Sequence, residues 1–182
     1  MKLAVAGFDP SLTSWGIAEG ELDLETGCLD ASCLLVMEPI KSKSKQVRQN
    51  STDLAVSEQL AKAALAAGRR AKVIFVEVPV GSQSARAMAS YGICVGILGA
   101  LRAEGIQIIE VTATEVKLAL TGNKNATKEQ MIASAVALYP EADFPNVRGR
   151  ITAKAEHVAD ALGAIHAGVN TPVFQNLMRL YN

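Results

Sequence analysis

Apolar and polar positions along the 182-residue chain change period several times, and each change marks an element. Residues 3–8 are a short apolar run that reads as a strand. Asp9-Pro10-Ser11-Leu12-Thr13-Ser14 has the composition of a turn, and Trp15 to Glu21 returns as a second strand. The Leu24 to Gly27 region turns into a third, Cys28 to Met37, which completes an antiparallel meander. A basic loop over 41–48 follows, and Asn50 or Ser51 is suited to cap a helix running to about Gly68. Lys72 to Val78 is apolar and β-branched, as in a strand covered on both faces. Ser82 to Glu104 reads as a long helix stopped by Gly105, and Ile106 to Val111 as another buried strand. The remainder is expected to be helical, over Ala113–Leu120, Thr127–Tyr139, Ala155–Ala167 and, after Pro172, Val173–Tyr181.

This order predicts an α/β fold: a mixed sheet of five strands, three antiparallel and then two parallel, with helices on both faces. The first and fourth strands can then lie side by side and run parallel. No repeat, low-complexity tract or linker interrupts the chain. Residues 1–182 are therefore expected to form one domain, with 171–182 as a C-terminal extension. Because the chain is 49% apolar but only 4% aromatic, Ala, Val, Ile and Leu must build the core.

Cys28, Cys33 and Cys94 are odd in number and form no CxxC pair, and Cys94 reads as a buried free thiol, so a reduced, cytoplasmic protein is expected. The opening apolar run is too short for a signal peptide, and Asp9 interrupts it. The longest apolar run, Ile93 to Leu101, is about half of what a membrane span needs, so no membrane partner is expected.

Eighteen basic and eighteen acidic residues give a formal net charge of zero, which counts against binding to nucleic acid. The charge is segregated, however. Glu19, Glu21, Asp23, Glu25 and Asp30 form an acidic stretch. Lys41, Lys43, Lys45 and Arg48 form a basic one, and Arg148, Arg150 and Lys154 another; by themselves such runs read as solvated loops.

Two carboxylates stand where burial makes them costly. Asp9 ends the first apolar strand, and Glu77 ends Val73-Ile74-Phe75-Val76. An ionised carboxylate taken from water needs a cation or several hydrogen bonds. If the two strands are parallel neighbours, both acids emerge at one carboxyl edge, the edge at which α/β proteins bind ligands. Singly, each could equally cap a turn. In Ala155-Glu156-His157-Val158-Ala159-Asp160-Ala161-Leu162, His157 and Asp160 are three apart and Glu156 and Asp160 four apart, so they share a helix face. On a helix otherwise small and apolar, these groups suit Mg²⁺ or Mn²⁺; the alternative is a polar surface stripe.

Gly7-Phe8-Asp9-Pro10-Ser11-Leu12-Thr13-Ser14-Trp15-Gly16, the strand ending in Glu77, Val116-Lys117-Leu118-Ala119-Leu120-Thr121-Gly122 followed by Asn125-Ala126-Thr127-Lys128, and His157-Val158-Ala159-Asp160-Ala161-Leu162 occur in this order. Together they resemble the RuvC family of Holliday junction resolvases, and the likeness runs from Met1 to about Gly168. The resemblance implies an RNase H-like fold, a homodimer and Mg²⁺-dependent nicking of four-way DNA junctions. It puts Asp9, Glu77, His157 and Asp160 on the metal-binding catalytic positions, and Lys117 and Lys128 on basic positions facing DNA near the cut. Arg86 joins these lysines as a candidate DNA contact. His157 stands where many members carry Asp. The chain departs from the pattern at Val80, where the family often has an aromatic acting on bases at the crossover.

Two ions roughly 4 Å apart could supply nucleophile, phosphate and leaving-group stabilisation. Asp9 would bridge them, Glu77 and Asp160 would complete their shells, and His157 would be a ligand or would orient water. Lys128 would neutralise the scissile phosphate while Lys117 held the backbone. Glu110 is left out of the ligand set, because capping of the next helix near Thr112 accounts for it. Two symmetric cuts imply a C2 dimer, for which the small-residue helix Ala87–Leu101 is the expected interface. The sequence identifies no helicase partner. Three other readings compete with this one: an RNase H-like nuclease for other branched DNA or RNA–DNA hybrids, a non-catalytic junction-binding protein, and an actin-like ATPase or sugar kinase. The last requires a second similar domain, for which the chain is too short.

Overall fold

A computed structural model describes residues 1–41 and 48–179. Lys43 and Lys45 of the basic loop, and the end of the last predicted helix, lie outside the described residues. Strands β1 (Lys2–Asp9), β2 (Trp15–Asp23) and β3 (Leu29–Met37) form the expected meander, paired from Lys2↔Asp23 to Asp9↔Gly16 and from Leu22↔Leu29 to Trp15↔Met37. β4 (Val73–Glu77) and β5 (Ile108–Val111) extend the sheet in parallel, giving the order β3-β2-β1-β4-β5. The mixed five-stranded α/β architecture read from the sequence is the one observed.

The strands alternate between two cores. Val5, Val73 and Phe75 face helices α3 (Ala113–Thr121), α4 (Lys128–Leu138), α5 (Ala155–Gly168) and α6 (Pro172–Arg179). Ala6, Phe8, Ile74 and Val76 face α1 (Gln49–Arg70) and α2 (Ala85–Ala103). Aliphatic residues dominate both cores.

Three local expectations are corrected. Helix α1 starts at Gln49 behind an extended Arg48 that supplies no side-chain cap, so Asn50 and Ser51 lie inside its first turn. There, Gln49 Nε2 donates to Asp53 one turn on (2.9 Å), a bond that needs Gln49 already helical. Glu110 does not cap α3: it pairs with Arg102 (2.7 Å), while Thr112 and Glu115 form a reciprocal capping box. Between α4 and α5 stands a hairpin, β6 (Asn146–Val147) and β7 (Arg150–Ile151), where the sequence predicts only a solvated basic loop. Two-residue strands are too short for alternation to reveal.

Candidate active site

Register and alternation put Asp9 and Glu77 together. Phe8 pairs with Val76 across the parallel β1–β4 ladder, so the next residue on each strand is an acid at the carboxyl edge. Counting by two from Val5 and Gly7 on β1, and from Val73 and Phe75 on β4, turns both acids toward the α5 face. The positions of backbone and core residues therefore fix the site before any polar contact forms.

Helix α5 lies unusually close to that edge. A methyl group on Gly7 would run into the Ala161 carbonyl, and one on Gly16 into the carbonyl of His157. Ala155, Ala159, Ala161 and Ala164, all fully buried, keep the helix within reach of the sheet. Its first turns thus project His157 and Asp160 over the strand ends. The His157 ring Nδ1 lies 2.8 Å from Asp9 Oδ2, joining residues 148 positions apart in sequence.

Electrostatics mark the cluster. Burial, then the neighbouring Asp9 charge, pushes the Glu77 carboxyl up to about 7, against a smaller opposing pull from Lys117. Burial likewise pushes Asp160 to about 8, reinforced by the charges of Asp9, Glu77 and Glu156. His157 is raised from its ordinary value chiefly by the Asp9 hydrogen bond, against the cost of burial. Cys94, beneath the site on α2, is buried and held at about 11 by desolvation and then by Asp9, as expected of an inert core thiol.

Both candidate lysines reach the same edge. Lys117, Lys128, Glu156 and Asp160 line one cleft between α3, α4 and α5. Lys128 Nζ pairs with Glu156 (2.8 Å) and also feels the charges of Asp160 and Asp9. Glu156, expected on the same helix face as Asp160 but not among the candidate ligands, is thus a further participant in the cleft. Arg86 is engaged elsewhere: its guanidinium makes a bidentate pair with the buried Asp53 of α1 (2.6 and 2.7 Å). Val80 is exposed, so the position of the family's frequent aromatic carries only an isopropyl group.

Among the described residues, no set of three or more His, Cys, Asp or Glu side chains is arranged to hold a metal ion. The fit to a divalent cation lies in charge and donor type. Three carboxylates whose ionised forms disfavour one another meet at one edge, and their oxygen donors are those that Mg²⁺ and Mn²⁺ prefer. His157 already gives its Nδ1 side to Asp9.

Sheet order and two-sided helical cover define an RNase H-like α/β fold. Solved structures of RuvC from Thermus thermophilus have it. One, in complex with Holliday junction substrate, is 19% identical with a TM-score of 0.68, over 97% of this chain and 96% of that one. Another is 21% identical with a TM-score of 0.64 and the same coverage. No protein-family model and no curated protein sequence matches the chain. No helix among the described residues is long and apolar enough to cross a membrane.

Proposed function

We propose that this chain is a divalent-metal-dependent endonuclease that cuts branched DNA, four-way junctions above all, as a homodimer. The observation that carries the reading is the conflict of charge at one sheet edge. Asp9, Glu77 and Asp160 come from two strand tips and a late helix, and the ionised form of Asp9 raises both of the others. A structural ion pair would relieve such a conflict, whereas a cation-binding site needs it.

Asp9, Glu77 and Asp160 would hold the metal. When bound, Mg²⁺ or Mn²⁺ supplies an activated water and charge on the phosphate oxygens. His157, tethered through Nδ1 to Asp9, keeps its Nε2 for the attacking water, so the geometry favours an orienting role over direct ligation. Lys128 and Lys117, which both line the cleft, would hold the scissile strand's phosphates. Arg86 secures α2 to α1, and any DNA contact it makes must share the guanidinium with Asp53.

The exposed stripe of α2 supports dimerisation. Met88 and Val95 are about half exposed, and a side chain added at Gly92, Gly96 or Gly99 would meet none of the described residues. A second copy could approach closely there. The likeness to the RuvC complex supports the choice of a four-way junction.

The test is Asp9→Asn assayed on four-way, three-way and RNA–DNA hybrid substrates beside the unaltered protein. Four-way cleavage should fall about a thousandfold or more while junction binding survives. Undiminished cleavage would remove Asp9 from the chemistry, and equal rates on all three substrates for the unaltered protein would remove the junction preference.

A further inference from the structure

The hairpin β6–β7 belongs to neither core. Asn146, Val147, Arg148, Gly149, Arg150 and Ile151 are all exposed, Val147 by 62%. Yet both its roots are fixed. Phe144 is buried in the α5-side core, and Ala155 opens α5 fully buried. Thr152 N–H donates to the Pro145 carbonyl (2.9 Å), and Asn146 Nδ2 to that of Phe144 (3.0 Å), closing the base. It is a prong, closed at its base, that covers no surface of the described residues.

Its position is set by the active edge. Lys154, between the hairpin and α5, pairs with Glu38 (2.6 Å), which follows the last residue of β3. Met37 pairs with Trp15, and the adjacent Gly16 with Asp9, so this pair sits at the same end of the sheet as the acids. Glu156 and His157 come directly after, in the first turn of α5.

The tip is chemically specific. Arg148 (φ 53°) and Gly149 (φ 77°) both take left-handed conformations, as in a two-residue primed turn. Gly fits this at no cost; Arg costs about 1 kcal/mol where Asn, Asp or Gly would be cheaper. Arg148 is the one non-glycine residue with positive φ among those described. Among the described residues neither Arg148 nor Arg150 joins an ion pair, whereas Lys154 beside them does. Two cations thus stand without an acidic partner among the described residues, on a prong at the acidic end of the sheet.

We infer that the β6–β7 hairpin is a DNA-binding prong, in which Arg148 and Arg150 grip backbone phosphates of the duplex arm leading into the active edge. The inference rests on the nuclease reading and deepens it, by naming the element that holds the arm. Two guanidiniums on a stiff two-stranded ribbon suit phosphate contacts, which position the nucleic acid without reading sequence.

The experiment measures four-way junction binding in EDTA across a salt series. The unaltered protein is compared with Arg148→Asn/Arg150→Gln, in which Asn preserves the left-handed tip, and with Arg148→Lys/Arg150→Lys, which preserves charge. The Asn/Gln variant should bind about ten- to a hundredfold more weakly, with the slope of log K against log salt reduced by about 1.8. The Lys/Lys variant should recover most of both. Unchanged affinity and slope in Asn/Gln, or an equal loss in Lys/Lys, would overturn the prong alone. An unaltered protein that binds no DNA would overturn the prong and the nuclease reading together.

Discussion

Helices α5 and α2 are written in nearly the same alphabet of Ala, Gly and aliphatic residues, yet they do opposite things with it. In α5 the small residues are buried; Gly163 lies against Val116 and Gly168 against the Phe75 ring. That fit brings the helix close enough to the sheet for His157 and Asp160 to meet Asp9. In α2, Gly92, Gly96 and Gly99 face open space. Small residues permit close approach wherever they occur; what approaches is decided by the face they occupy. Composition identifies a tight contact, and only the fold says whether the contact lies inside the chain.

Inserting bulk on each side tests that contrast. Gly16→Val, under the His157 carbonyl, should destabilise by about 3 kcal/mol and abolish cleavage by displacing α5, read as a loss of Tm and of activity together. Gly96→Val should change monomer stability by less than about 1 kcal/mol but weaken self-association, read by sedimentation at several concentrations. If Gly16→Val were tolerated, the seating of α5 would be looser than the geometry requires. If Gly96→Val left the oligomeric state alone, the α2 stripe would not be an interface.

A smaller effect separates the two helices by pH. The raised carboxyls of Glu77 and Asp160 make the folded state bind more protons than the unfolded one. The resulting stability is full below about pH 4 and lost as pH rises through about 7 and 8. In EDTA, Tm should therefore fall between pH 5 and 8.5, and Mg²⁺, which favours the ionised forms, should restore it most at the upper end. Asp160→Asn should flatten the profile. Substitutions at Gly96 should leave its shape alone, and a flat profile in the unaltered protein would contradict the burial of these acids.

Much of this was legible in the sequence, for physical reasons. Short continuous apolar runs located β1 and β4, and the parallel register did the rest for Asp9 and Glu77. The i, i+3 spacing of His157 and Asp160 on an apolar helix was equally readable. What escaped depended on side-chain partners that only the folded chain selects. Nothing near Arg86 announces Asp53, nor anything near Glu110 that Arg102 would claim it. The hairpin escaped because its conformation lives in two turn residues, Arg148 and Gly149, and because arginine is the unusual choice there.

Asp9, Glu77 and Asp160 are proposed to share a cation. Crystals soaked in Mn²⁺ and measured for anomalous scattering test this most directly. The expected result is density at the carboxyl edge of β1 and β4, within about 2.3 Å of carboxylate oxygens from all three residues. Manganese bound elsewhere, or density touching Asp9 but neither Glu77 nor Asp160, would contradict it.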